Sequence, residues 1–205
     1  MIDVLERAER NGPTVLVAHS RGGITTTAVA NARPDLVDRI VYVSAWCPRR
    51  SGGGRLLRRA GDGRRRRGSP HDRPRREPGR TRAAALQLPH GRPDDARRPQ
   101  QCLRRDLTDD EFRTILSTFQ PDGNLDAGTS ADRARATTWG RMPRTYVRPA
   151  ADAGVPPTVQ DRMIREADAL TPDNPFDVRT LEGSHLRRPV HPEARRRVLA
   201  GLAGF

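Results

Sequence analysis

Three residues of this 205-residue chain have the types that acyl transfer needs. Ser20 sits in Ala18-His19-Ser20-Arg21-Gly22-Gly23, between an apolar run and a stretch of small residues. A nucleophilic serine must stand on a turn so sharp that its hydroxyl clears the backbone, which demands small neighbours on both sides. Ala18, Gly22 and Gly23 meet that demand, with Ala18 where the G-x-S-x-G pattern has its first glycine. A base must take the serine proton and a carboxylate must orient the base. His185, in Gly183-Ser184-His185, and Asp152 are the candidates, and the order serine, acid, histidine along the chain is one the chemistry uses. The amide of Arg21, opening the helix after the turn, would donate to the oxyanion with help from the helix dipole.

The elements around these residues are of the kind that could bring them together. Residues 2–10 carry Ile2, Val4, Leu5 and Ala8 at helical spacing, and Asn11-Gly12-Pro13 stops them. Thr14 to Ala18 is a short apolar run fit for a buried parallel strand, Ile24 to Ala32 can be helical, and Arg39 to Ala45 reads as a second buried strand. Thr108-Asp109-Asp110-Glu111 is a capping-box pattern ahead of Phe112, Ile115, Leu116 and Phe119 on one helical face. A short helix is expected around Ala131–Trp139, a strand at Arg144–Arg148, and a helix from Pro156-Pro157 to Ala169. A further strand at Phe176–Leu181 and a closing helix at Pro192–Leu202 complete the reading. Asp152 and His185 then each follow the C-terminal end of a strand, where open α/β sheets place their ligands. The expected fold is α/β, with a mostly parallel sheet flanked by helices.

Composition divides the chain. All 38 basic residues are arginine, a bias that GC-rich codons explain more readily than protein physics. Residues 49–105 hold 19 arginines against 5 acids, whereas the other 148 residues hold 19 against 20, so the net charge of +13 resides in that segment. Its only large aliphatics are Leu56, Leu57, Leu86, Leu88 and Leu103, too few to offset the entropy of ordering it. A disordered arginine-rich insert is expected there. The implied organisation is 1–48 as the N-terminal part of a core, 49–105 as the insert, 106–140 as a helical remnant, and 141–205 as the C-terminal part of the core.

Cys47 and Cys102 stand too far apart, with no second pair, to suggest a disulfide framework or a zinc site. No apolar run approaches the roughly 18 residues of a membrane span, and the N-terminus lacks a basic stretch followed by an apolar one. A soluble, cytoplasmic protein is expected.

At Val15–Pro48, Arg144–Leu170 and Phe176–Pro192 the chain resembles the α/β-hydrolase family, and within it the small-ester hydrolases related to plant methyl esterases and hydroxynitrile lyases. The resemblance covers roughly two thirds of the chain. It implies Ser20 as nucleophile, His185 as general base and acid, Asp152 as its partner, and residues 106–140 as part of a helical lid, with no metal or organic cofactor. It also implies upstream strands and a His-Gly-type loop supplying a second oxyanion donor, which a chain beginning at Met1 here would lack. Where the family has apolar lid helices, residues 49–105 are arginine-rich; a reading frame shifted between about Pro48 and Arg105 would account for this.

Other readings compete. Asp161, Asp168 and Asp173 are alternative acids. His19 reads as an elbow neighbour rather than a base, His71, His90 and His191 as solvated, and Trp46 and Trp139 as core or pocket wall. A catalytically inactive fragment is one alternative function. Polyanion or nucleic-acid binding through Arg64-Arg65-Arg66-Arg67 is another, though the segment has no aromatic side chain to stack a base. Hydroxynitrile lyases share the implied triad but, by the resemblance, use a lysine near the site; the absence of lysine here favours hydrolysis of a small-molecule ester.

Overall fold

The computed structural model describes residues 1–47, 103, 105–119, 133–187, 193, 200 and 201, together with the backbone of 83–85 and 122–124. Helix α1 (Ile2–Glu9) seats Leu5 in the core, and the chain reverses at Gly12, whose φ of 114° suits glycine. Strand β1 (Val15–His19) leads into α2 (Gly22–Ala32), and a short 3₁₀ turn at Pro34–Leu36 precedes β2 (Arg39–Val43). Ala83–Ala85 (β3) pairs antiparallel with Asp122–Asn124 (β4). Between them lies α3 (Asp109–Ser117); β5 (Arg144–Pro149), α4 (Pro157–Asp168) and β6 (Asp177–Leu181) follow.

The main sheet has the order β1-β2-β5-β6, and every pairing in it is parallel. Its register aligns His19 with Val43, Val43 with Val147, and Pro149 with Leu181. All four strands therefore end along one edge of the sheet, which is the arrangement that gathers loops from distant parts of the sequence.

Strand alternation sends Ala18, Ile40, Tyr42 and Tyr146 into the larger core, while Val41 and Val147 pack on the other face with Val43 and Leu181. Tyr42 and Tyr146 stack at 6.3 Å between ring centroids, and Phe176 meets both edge-on. Their hydroxyls are satisfied within the core. Tyr42 Oη accepts from Trp139 Nε1 at 2.7 Å and lies 2.8 Å from Thr27 Oγ1, and Tyr146 donates to the Ala45 carbonyl at 2.8 Å.

Helix α3 begins with the capping box that its sequence predicts. The Glu111 amide donates to Thr108 Oγ1 at 3.2 Å, and the Thr108 amide donates back to Glu111 Oε2 at 2.8 Å. Phe112 and Ile115 pack with Leu186, but Phe119 falls past the helix end and is exposed.

The helix expected at 131–139 is absent among the described residues: 133–138 form turns, with a 3₁₀ turn at Trp139–Arg141. The physical reason is Asn31, whose side chain captures the backbone in place of helical bonds. Its Nδ2 donates to the Arg133 carbonyl at 2.6 Å, and its Oδ1 accepts from the Arg135 amide at 3.2 Å and from Thr138 Oγ1 at 3.0 Å. The expected insert at 49–105, with Arg64–Arg67 and Cys102, lies outside the described residues apart from β3, Leu103 and Arg105. So does the closing helix apart from 193, 200 and 201, and so do His71, His90 and His191.

Candidate active site

Ser20 is the first residue after β1 and has a φ of 52°. A left-handed conformation costs a side-chain-bearing residue about 1–2 kcal/mol, so the surroundings must impose it. They do so through the backbone. The Ser20 amide donates to the Val43 carbonyl at 3.3 Å, and its own carbonyl accepts from the Trp46 amide at 2.9 Å and the Gly23 amide at 3.2 Å. The elbow is thereby stitched to the loop after β2.

Gly23 permits that closeness, since a Cβ there would stand 2.2 Å from the Trp46 carbonyl oxygen. The position of Gly22 is less demanding: a Cβ on it would meet only the Ala18 methyl, at 3.9 Å. Alanine in place of the pattern's first glycine is accommodated for the same reason, with Ala18 buried in the space beside Gly22.

His185 follows β6, Asp152 follows β5, and both are almost fully buried. His185 Nε2 lies 3.0 Å from Ser20 Oγ, and its Nδ1 lies 2.9 Å from Asp152 Oδ2. The other carboxylate oxygen, Oδ1, accepts from the amides of Gly154 and Val155, each at 2.8 Å. The alternative acids go elsewhere: Asp161 pairs with Arg148 at 2.6 Å, Asp168 accepts from the Phe176 amide at 2.9 Å, and Asp173 is exposed. Arg21 is the N-cap residue of the 11-residue α2, so its amide stands at that helix's positive end.

His19 is a neighbour of this constellation. Its ring lies 4.7 Å from that of His185, and its Nε2 is 3.0 Å from the His185 carbonyl oxygen, a contact that requires the proton on Nε2. Burial, reinforced by His185, pulls its pKa down to about 4, so it serves as a neutral donor steadying the backbone of His185. Cys47 is no rival nucleophile, since burial pushes its thiol up to about 12. Trp139 is wholly in the core, and Trp46 is buried there beside the loop after β2.

Three supporting contacts are invisible in sequence patterns. Gly154 lies against the His185 ring; a Cβ on it would meet His185 Cγ and Leu103 Cδ2, each at 2.9 Å. Gly154→Ala is expected to displace the imidazole and reduce kcat on an activated ester by about 10²-fold, the usual consequence of misplacing a reacting group by about 1 Å. Steady-state kinetics beside near-ultraviolet circular dichroism would show it; unchanged kcat would mean the ring tolerates the methyl.

Asp106 holds the histidine loop from the other side, accepting the Ser184 amide at 2.8 Å and the Ser184 hydroxyl. Burial opposes its ionisation, but these Ser184 hydrogen bonds and Arg187 outweigh it, and the carboxyl is held below its usual range. The third contact is Ser44, whose buried hydroxyl donates to Asp152 Oδ2.

Among the described residues no cluster of His, Cys, Asp and Glu could hold a metal ion, and no helix is long and apolar enough to cross a membrane.

None of the curated proteins matches the chain. Among solved structures, a pyrethroid hydrolase from Sphingobium faniae is 23% identical with a TM-score of 0.65, the match covering 98% of this chain and 74% of that one. Polyneuridine aldehyde esterase is 14% identical with a TM-score of 0.65, covering 98% and 76%. Tomato methylketone synthase I, complexed with 2-tridecanone, is 14% identical with a TM-score of 0.63, covering 98% and 75%. These likenesses concern the fold. A family model described as the alpha/beta hydrolase family matches residues 2–200, nearly the whole sequence, and the chain belongs to that family.

Proposed function

We propose that the chain is a serine hydrolase that cleaves a small carboxylic ester through an acyl-enzyme. The observation that carries this reading is the unbroken run of contacts from Ser20 Oγ through His185 to Asp152, at 3.0 and 2.9 Å. Hydrolase and esterase among the names of the similar structures support it.

In this reading Ser20 Oγ attacks the ester carbonyl carbon while its proton passes to His185 Nε2. The oxyanion accepts the Arg21 amide, where the dipole of α2 favours negative charge. His185 then gives the proton to the departing alcohol. Water, deprotonated by the same nitrogen, hydrolyses the acyl group from Ser20, and Asp152 holds the imidazole in the orientation both steps require.

Intact mass after treatment with a fluorophosphonate probe tests the proposal. One adduct on the wild-type chain and none on Ser20→Ala is the expected result. A soluble wild-type chain that takes no adduct, or a Ser20→Ala chain that keeps it, would overturn the assignment and favour an inactive hydrolase fold.

A further inference from the structure

Ser44 occupies the position after β2 that Ser20 occupies after β1, and it too has a positive φ, 44°. It is fully buried, and its amide donates to the Val147 carbonyl at 3.0 Å. A left-handed conformation is tolerated more easily by glycine or asparagine, so a buried serine held in it raises the question of what its hydroxyl does.

That hydroxyl donates to Asp152 Oδ2, the oxygen facing His185, and its oxygen also lies 3.0 Å from His185 Nδ1. Counting protons fixes the directions. A neutral imidazole with its proton on Nδ1 has one N–H to share between Asp152 Oδ2 and Ser44 Oγ, and Ser44 has one O–H, which goes to the carboxylate. The hydroxyl is then acceptor toward the imidazole and donor toward the carboxylate, and Nε2 turns a lone pair to Ser20. With the proton on Nε2 instead, the single Ser44 O–H could serve Nδ1 or Asp152 Oδ2 but not both, and lone pairs would face each other at the remaining contacts.

Asp152 is thus gripped at both oxygens: Oδ1 by the amides of Gly154 and Val155, and Oδ2 by Ser44 and His185. Without the Ser44 hydroxyl, Oδ1 stays held by the two amides but Oδ2 keeps a single partner, His185, and its alignment with Nδ1 rests on that contact alone.

We propose that Ser44 is a positioning residue that fixes Asp152 Oδ2 against His185 and selects the imidazole tautomer able to take the proton from Ser20. This rests on the reading of Ser20, His185 and Asp152 given above.

Two variants of the full chain separate positioning from folding. Ser44→Ala removes the hydroxyl and keeps the unfavourable backbone; Ser44→Gly removes the hydroxyl and relieves it. Both are expected to lower kcat on p-nitrophenyl acetate, and the rate of fluorophosphonate labelling, by about 10- to 100-fold, as for loss of one hydrogen bond to a charged group. KM should be unchanged, and Ser44→Gly should melt no lower than wild type. The low-field proton resonance of His185 Nδ1–H should shift or broaden in both variants.

A wild-type chain that labels beside a Ser44→Gly chain that labels equally fast would overturn the proposal, as would loss of rate in the alanine variant alone. A wild-type chain that takes no label overturns the reading of Ser20 instead, and the Nδ1–H resonance then decides whether Ser44 sets the tautomer.

Discussion

Asp152→Asn is expected to leave the fold intact and to lower kcat by about 10⁴-fold, the scale set by reversing a catalytic histidine's tautomer. The two side chains have the same shape, and the carbonyl oxygen of the introduced amide can keep the Gly154 and Val155 amides that Oδ1 now accepts at 2.8 Å. That choice turns the side-chain NH₂ toward Ser44 and His185. A donor now faces Nδ1, which must lose its proton and accept, so the hydrogen moves to Nε2 and points at Ser20. A nitrogen already carrying hydrogen has no free lone pair with which to take the serine's proton. Kinetics on p-nitrophenyl acetate, with a melting curve to establish folding, measure the effect. Asp161→Asn is the control: it breaks the pair with Arg148 and should leave kcat unchanged. A folded Asp152→Asn chain within ten-fold of wild-type activity would remove Asp152 from the assignment.

Much of this arrangement is legible in the sequence, for a physical reason. Central parallel strands are short runs rich in β-branched and aromatic residues, so β2 and β5 are visible in Ile40–Val43 and Thr145–Val147. β1 is legible as an apolar run too, but against the expectation of a buried strand it lies at the sheet edge and leaves Val15 and Val17 exposed. Register then does the rest, because strands that end together bring Ser20, Asp152 and His185 to one edge whatever their separation along the chain.

What escapes is what depends on contact across the sequence. Ser44 reads as the continuation of a strand through Ala45; the hydrogen bond of its side chain to Asp152, made across the sequence, is what sets it apart. A serine directly after an apolar strand, repeating the placement of Ser20, is the one signal that could have found it. Gly154 carries no local signal at all, since its need for a missing side chain comes from a ring 31 residues later in a sequence that puts His185 on a different strand's loop. The turn at 133–138 is equally out of reach, because the residue that shapes it, Asn31, belongs to α2.

Arg144→Met is expected to do the reverse of Asp152→Asn: to destabilise the fold by about 3–5 kcal/mol while leaving kcat of the folded fraction unchanged. Arg144 opens the same strand whose far end leads to Asp152, and it is almost wholly buried. Its Nη1 donates to the carbonyls of Trp139, Gly140 and Met142 at 3.2, 3.0 and 3.2 Å, and its Nη2 donates to Thr171 Oγ1 at 2.7 Å and to the Asn174 carbonyl. The guanidinium carbon also lies 3.9 Å from the Trp139 ring centroid. Methionine fills similar space and keeps the aromatic contact, but it supplies no donor, so carbonyls from two separate turns are left in the interior without this partner. For a chain of this size the loss corresponds to a fall in melting temperature on the order of 10 °C. A fall of only a few degrees would mean that the turns at 139–142 and 171–174 hold without the arginine. Reduced kcat in the still-folded variant would mean that strain at the start of β5 reaches Asp152, and the sheet would then be transmitting position as well as providing it.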